Sequence, residues 1–179
     1  MAHCTTVPKI AFYCDPREST LIRLPGTLTI AAVGKLRTPH WRAAQDDYAK
    51  RIRRYARLNI VEVRDHLAGG VADAVAVRRE GQALTAAVAK VPWVIAMDAQ
   101  GKHTTSEGLA RYLHKQVTTY RDLAFIIGGP VGLAPELLAA ANDTLSLSPL
   151  TFPHELARVM LLEQLYRALT ILSGERYHK

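Results

Sequence analysis

The 179-residue sequence lacks an apolar run long enough to cross a membrane as a helix, which takes about 20 consecutive residues. Its start, "MAHCTTVPKIAFYCDPREST", also lacks the continuous apolar core of a secretory signal. Cysteine is scarce, and Cys4 and Cys14 have neither a Cys-x-x-Cys spacing nor a histidine pair nearby, which is typical of ordinary thiols. These absences favour a cytoplasmic protein with no membrane segment.

Motifs for phosphate binding, metal binding and nucleophilic catalysis are missing as well. The pairs Gly34-Lys35 and Gly101-Lys102 lack the Ser or Thr that follows in a P-loop. In "FIIGGPVGLAPE", residues 125–136, Ile127 replaces the first glycine of a dinucleotide fingerprint and Pro130 has no amide hydrogen to donate. There is also no His-x-x-x-His pair and no Gly-x-Ser-x-Gly elbow. The sequence therefore disfavours a nucleotide-phosphate site, a metal site and a serine nucleophile.

What the sequence does have is positive charge, with a formal net charge of +7. A basic balance of this size favours a polyanionic partner. The segment from residue 35 to residue 57 contains two aspartates and eight basic residues: Lys35, Arg37, Arg42, Lys50, Arg51, Arg53, Arg54 and Arg57. Such a segment is typical both of phosphate contacts on a nucleic acid and of a solvated helix face, and charge alone leaves the two open.

Apolar periodicity predicts an α/β domain over residues 27–179. The predicted strands are 28–33, 58–63, 91–98, 123–127 and 144–148. The predicted helices are 40–58, 71–90, 106–120 with Ser106 as a cap, 134–142 and 152–174. This alternation indicates a parallel sheet of five to six strands with helices on both faces. Residues 1–26 show no periodicity and are interpreted as an N-terminal extension.

Ligands of such sheets bind beyond the carboxyl ends of the strands, where the loops 98–103, 128–132 and 148–154 are expected to meet. Gly128 and Gly129 would let a flat ligand lie against the backbone. The turn that follows the last strand, with Ser148, Pro149 and Thr151, would face the same ligand. This pocket suits a nucleoside recognised by its base edge. The residues alone leave open the alternative that both segments are tight turns without a ligand.

The last predicted helix is apolar over more than one face, which favours a two-fold dimer over a central helix in a monomer. After it the chain reads "ERYHK". Such a segment could stack on a base, contact phosphate and supply a titratable imidazole. A disordered terminus is the alternative.

Five motifs in the second half carry a specific resemblance: "IIGGPVGL", "SLSPLTFPH", "RV", "EQLYRA" and the terminal "YHK". Together they resemble the ribosomal RNA large subunit methyltransferase H family, within the SPOUT or α/β-knot methyltransferases. A looser match extends back through "MDAQGK" to "TIAAVGKL", so the resemblance covers about residues 27–179. It leaves residues 1–26 outside.

The resemblance implies that the C-terminal segment threads a trefoil knot, which periodicity could not indicate because knots are rare. It implies a homodimer that uses S-adenosylmethionine to methylate N3 of a pseudouridine in 23S rRNA of the assembled ribosome, with no metal. One alternative is a SPOUT RNA methyltransferase with another nucleotide specificity. Another is a non-catalytic RNA-binding or ribosome assembly protein, which would not bind S-adenosylmethionine. A nucleotide-binding regulator is disfavoured by the missing phosphate motifs.

Site residues follow from the resemblance position by position. The cofactor set is Met97, Gly128, Gly129, Leu147, Ser148, Pro149, Leu150, Thr151, Phe152 and Pro153. The catalytic set is Arg167, Tyr177 and His178, in which Arg167 would favour the N3 anion and His178 would be a general base or a base-positioning group. Of the RNA-binding candidates, Lys179 follows from the same match, while Lys35, Arg37, Arg42 and Arg53 belong to the basic segment 35–57; His154 is a further candidate.

Overall fold

The computed structural model describes residues 23–67, 70–175 and residue 177. Strands and helices alternate throughout this part of the chain. The strands are β1 (Thr27–Val33), β2 (Arg57–Val63), β3 (Trp93–Lys102), β4 (Leu123–Ile127) and β5 (Asp143–Leu145). The helices are α1 (Pro39–Ile52), α2 (Asp73–Val88), α3 (Ser106–Tyr120), α4 (Pro135–Ala140) and α5 (His154–Leu172). The predicted alternation is confirmed.

The strands form one parallel sheet in the order β2-β1-β4-β3-β5. The central strand β4 is buried along its whole length, because helices cover both faces of the sheet. Alternate side chains enter two apolar cores, one beneath α1, α3 and α5 and the other beneath α2 and α4. No helix in the described part of the chain is both long and apolar enough to cross a membrane. The α/β class is confirmed, while the threading of a knot stays a prediction of the resemblance.

The predicted helix 40–58 is wrong at its end, because α1 stops at Ile52 and β2 begins at Arg57. Tyr55 continues the helical spacing in the sequence, but its amide bonds to the Ile52 carbonyl at 2.8 Å in a turn. Its side chain is buried, and its hydroxyl donates to the Glu175 carboxylate at 2.7 Å. Tyr55 is therefore a core anchor of the turn rather than part of the helix.

The strands β3 and β5 also differ from their predicted ends. The chain bulges after Met97, so that Met97 and Lys102 both pair with Leu145 and β3 runs past residue 98. β5 ends at Leu145 because the next residue, Ser146, turns the chain: its hydroxyl donates to the Ser148 carbonyl at 2.9 Å. This turn begins one wall of the candidate site.

The cap of α3 is Thr105 rather than the predicted Ser106. The Thr105 hydroxyl accepts a hydrogen bond from the Gly108 amide at 3.0 Å, which satisfies a free donor of the first turn. Ser106 is the first helical residue, and its hydroxyl donates to Gln164 of α5 at 3.0 Å. The start of α3 is thus tied to α5.

Of the predicted N-terminal extension 1–26, residues 1–22 lie outside the described part of the chain. Leu24 is buried in the core, and its amide donates to the Tyr55 carbonyl at 2.7 Å. The boundary between extension and domain stays a prediction.

A fully buried arginine joins α5 to the sheet. Arg158 lies in the second turn of α5 with 0% of its surface exposed. Its guanidinium donates to the carbonyls of Gly34 at 2.6 Å and Val33 at 3.3 Å, at the carboxyl end of β1. It also donates to the Glu62 carboxylate of β2 at 2.6 Å and to Gln45 of α1 at 3.5 Å. One side chain therefore fixes α5 to three other elements.

Replacing Arg158 by Met is expected to lower the free energy of unfolding by about 2–4 kcal/mol, because two carbonyls and the Glu62 carboxylate lose their partner. Lysine keeps the positive charge but cannot reach all four acceptors. The free energy of unfolding of Arg158→Lys is therefore expected to lie between those of wild type and Arg158→Met. Urea unfolding measures both, with Arg111→Met on the exposed face of α3 as the matched control. An Arg158→Met protein as stable as the control would contradict this role.

Candidate active site

A cavity of about 300 Å³ opens at the carboxyl edge of the sheet, between the loop after β4 and the turn after β5. Most of the predicted cofactor residues line it: Met97, Gly128, Gly129, Leu147, Ser148, Leu150, Thr151 and Phe152. Pro149 and Pro153 belong to the same turn without lining the cavity. Of the three loops that the sequence predicts to meet, 128–132 and 148–154 meet here, and the predicted loop 98–103 contributes Asp98 and Ala99, which belong to β3.

The first wall is a tight glycine loop. The Gly132 amide donates to the Gly129 carbonyl at 3.0 Å, and Gly132 has a φ of +91°, which favours glycine. A β-carbon on Gly128 would lie 2.5 Å from the Gly132 backbone. A β-carbon on Gly129 would lie 3.1 Å from the Glu80 carboxylate and 3.2 Å from Val33. The residues packed behind this wall therefore leave little room for a side chain at Gly128 or Gly129.

Sequence reasoning missed the support behind this wall. Glu80 of α2 is buried, and its carboxylate accepts the His66 amide at 2.8 Å. The loop after β2 is therefore held against the back of the glycine loop. A glutamate within a helix with polar neighbours carries no sequence signal that distinguishes it from a surface residue.

The second wall is a turn stabilised by serine hydroxyls. The Ser146 hydroxyl lies 2.9 Å from the Ser148 carbonyl and 3.2 Å from the Ala99 carbonyl, so its single hydrogen can be donated to either. The Leu150 amide donates to the Ser148 hydroxyl at 3.1 Å. Leu150 is 69% exposed, and Val131 of the first wall is 48% exposed. Two exposed large apolar side chains at one cavity indicate a ligand with an apolar surface.

Charged side chains contribute little to this cavity. Among the described residues, the lining includes Asp98 and His154 but no lysine or arginine. The described residues also hold no group of three or more His, Cys, Asp or Glu side chains placed to bind a metal ion. The cavity thus presents backbone groups and apolar surface, which suits a nucleoside better than a phosphate.

The predicted catalytic residues that can be described lie elsewhere. Arg167 is thirteen residues beyond His154 on α5, which is about 20 Å along a helix. Its guanidinium donates to the Glu163 carboxylate at 2.6 and 2.9 Å and lies 5.0 Å from the centre of the Tyr177 ring. Burial, above all, raises the pKa of Tyr177 to about 12. His178 lies outside the described residues.

The predicted RNA-binding residues fall into separate places. Lys35, Arg37 and Arg42 line a groove beside the cavity, while Arg53 lies beyond the far end of α1. His154 lines the cavity itself. Lys179 lies outside the described residues.

A carboxylate at the start of α5 ties it to the loop after β1. Glu155 accepts hydrogen bonds from the Thr38 hydroxyl at 2.6 Å and from the amides of Arg37 and Thr38. The Thr38 hydroxyl is the largest of the causes that lower the pKa of Glu155. Because the folded pKa is lowered, this carboxylate stabilises the fold above its ordinary pKa. That contribution is lost as the pH falls through the lowered value.

The substitution Thr38→Val is expected to raise the pKa of Glu155 towards the ordinary value of glutamate, because the hydroxyl donor is removed. The amides of Arg37 and Thr38 still donate to Glu155, so its pKa should stay below the ordinary value of glutamate. A carbon-detected NMR titration of the side-chain carboxyl measures the shift, with Thr119→Val on the outer face of α3 as the control. An unchanged Glu155 titration would show that the hydroxyl does not hold this carboxylate.

Comparisons with known proteins agree with this geometry. A family model described as predicted SPOUT methyltransferase matches residues 27–178. Proteins called ribosomal RNA large subunit methyltransferase H, from Clostridium beijerinckii and Alkaliphilus oremlandii, are 44% and 41% identical over 157 residues, which cover 85% of this chain and 99% of each relative.

Among solved structures, a probable methylase family protein from Haemophilus influenzae Rd KW20 aligns with a TM-score of 0.54 at 14% identity. The alignment covers 85% of this chain and 70% of that one and bears on the fold alone. The family model and the two relatives span the sheet, the cavity and α5. The chain therefore belongs to the SPOUT methyltransferases, within the ribosomal RNA large subunit methyltransferase H family.

Proposed function

We propose that this protein transfers the methyl group of S-adenosylmethionine to N3 of a pseudouridine in 23S rRNA. The observation that carries the proposal is a cavity built from backbone and apolar side chains, in a chain of this family. The names of relatives that are 41–44% identical support ribosomal RNA of the large subunit as the substrate. Its site of action is then the cytoplasm, where ribosomes work.

The cavity fits this cofactor in shape and charge. Gly128 and Gly129 offer a flat backbone wall to the nucleoside part, and Leu150 and Val131 supply apolar surface. The absence of lysine and arginine from its described lining avoids repulsion of a sulfonium cation. When bound, the cofactor supplies an electrophilic methyl group, and the enzyme contributes mainly by holding the reactants in position.

The acceptor nitrogen must lose its proton before or during transfer. Tyr177, with its raised pKa, stays protonated near neutral pH and acts as a hydrogen-bond donor rather than as a base. Arg167 would stabilise the N3 anion, although Glu163 already offsets part of its charge. His178 is the remaining candidate for the group that accepts the proton or positions the base.

A homodimer would bring these groups to the cavity. Within one chain, His154 begins α5 beside the cavity, whereas Arg167 and the neighbouring Tyr177 lie towards the other end of this helix. One subunit therefore does not bring the predicted catalytic residues and the predicted cofactor residues together. The half-buried apolar residues Leu156, Met160, Ile171 and Leu172 of α5 would support a subunit interface. In such a dimer, the C-terminal segment of one subunit completes the cavity of the other.

Ribosomes that lack the modification, supplied with labelled S-adenosylmethionine, are expected to gain one methyl group at N3 of one pseudouridine, located by mass spectrometry. Gly128→Ala should weaken cofactor binding at least about tenfold, because its β-carbon would displace the backbone of Gly132. Gly70→Ala is the control: Gly70 lies outside the cavity and has open space around it, and its φ of +71° makes the substitution a test of backbone strain without a steric clash.

Two outcomes would overturn the proposal in different ways. Cofactor binding with transfer to another nucleotide would indicate a different SPOUT specificity. Failure of the wild-type protein to bind S-adenosylmethionine in calorimetry would favour a non-catalytic RNA-binding or assembly protein.

Subunit mixing tests the shared site. With S-adenosylmethionine kept well below the weakened Kd of Gly128→Ala, the Gly128→Ala and His178→Ala proteins should each have little activity. Their co-expressed mixture should recover about a quarter of wild-type activity, because half the dimers carry one intact site. Activity is measured as labelled methyl transfer to ribosomes lacking the modification. No recovery, in a mixture shown by mass spectrometry to contain heterodimers, would mean that each subunit uses its own C-terminal segment.

A further inference from the structure

A second concavity, here called the basic groove, lies at the carboxyl ends of β1 and β2. It has a volume of about 620 Å³. Four exposed basic residues line it: Lys35, Arg37, Arg42 and Arg64. Arg64 follows β2, whereas Lys35 and Arg37 precede α1 and Arg42 lies in the first turn of α1, so only the fold brings the four together.

The positive charge of the basic groove is largely unneutralised. None of the four basic residues forms an ion pair with another described residue. The nearby Glu62 carboxylate is occupied by Arg158 at 2.6 Å. Asp65 also lines the groove, and its carboxylate accepts the Leu67 amide at 2.9 Å. The groove therefore holds four basic side chains and two carboxylates, and one of these carboxylates, that of Glu62, is already bound by Arg158.

One of the four side chains is held in place by the backbone. The Arg42 guanidinium donates to the Leu36 carbonyl at 2.8 Å, which fixes it across the loop after β1. That loop is itself tied to α5, because Glu155 accepts the amides of Arg37 and Thr38. A rigid loop loses less conformational entropy when a ligand binds, so these charges are prepared for an anion.

The basic groove adjoins the candidate cofactor cavity. Gly34 lines the groove, and a β-carbon built on it would lie 3.7 Å from Nε2 of His154, which lines the cavity. The Gly34 carbonyl accepts from the buried Arg158 at 2.6 Å. An extended ligand could therefore pass from the cavity across His154 into the groove without leaving the protein surface.

From this arrangement we infer that the basic groove binds the phosphate backbone of the RNA strand whose base enters the cavity, and that Arg64 is one of its phosphate contacts. The inference rests on the proposed function for the identity of the strand. Arginine donates in a planar fork that matches a phosphate, and unpaired exposed cations give salt-dependent binding. Arg53, beyond the far end of α1, lies outside this path.

The test is the double charge reversal Lys35→Glu with Arg64→Glu, because neither side chain makes a hydrogen bond within the described structure. Ribosome binding of this variant should weaken at least about tenfold, and the slope of log affinity against log salt should fall by about 2. KM for ribosomes should rise accordingly. Calorimetry should give a Kd for S-adenosylmethionine within about twofold of wild type, since the cavity is untouched.

The matched control is Lys90→Glu with Lys115→Glu, two exposed lysines outside the groove, with the same change in net charge. It should bind ribosomes within about twofold of wild type. Wild-type affinity and salt slope in the groove variant, or an equal loss in the control, would overturn the inference. Ribosome binding is read without methyl transfer, so a protein that binds through the groove but methylates nothing would contradict the proposed function alone.

Discussion

The buried guanidinium of Arg158 is the interaction on which both binding surfaces depend. It holds the carbonyls of Val33 and Gly34 and the Glu62 carboxylate against the start of α5. On one side of this junction, His154 lines the candidate cofactor cavity; on the other, Gly34 lines the basic groove. A buried charge is costly unless its partners are well placed, so the junction tolerates little movement between β1 and α5. In the proposed complex, this rigidity would keep the methyl donor and the RNA strand at a fixed distance from each other.

The described lining of the candidate cavity consists mainly of backbone and apolar side chains and includes no lysine or arginine. Packing behind the glycine loop, from Val33 and the buried Glu80, explains why Gly129 cannot easily carry a side chain. Serine hydroxyls hold the opposite turn. Charge is instead concentrated in the groove and around Arg167, some distance along α5. In the proposed dimer, this division would let a cationic cofactor and a polyanionic substrate bind side by side, with a second subunit supplying the remaining groups.

Much of this arrangement could be predicted from the sequence, and the exceptions have physical reasons. Buried strands such as β4 are continuous apolar runs, and the glycine loop and the serine turn are local signals, so sheet and cavity walls were predictable. Tyr55 misled the prediction of α1, because a core anchor in the following turn happens to continue the helical spacing. Arg64 carried no signal, and the "RV" motif that contains Arg158 gave no sign of its burial, since an arginine looks the same in sequence whether it is buried in a junction or exposed in a groove.

The most direct test of the account is a crystal structure of the protein with the demethylated product of S-adenosylmethionine. The nucleoside is expected to lie between Gly128–Gly129 and the turn 147–152, beside His154. The C-terminal residues of a second subunit are expected at the mouth of that cavity. A ligand bound in the basic groove, or a cavity completed by the chain's own C-terminal segment, would contradict it.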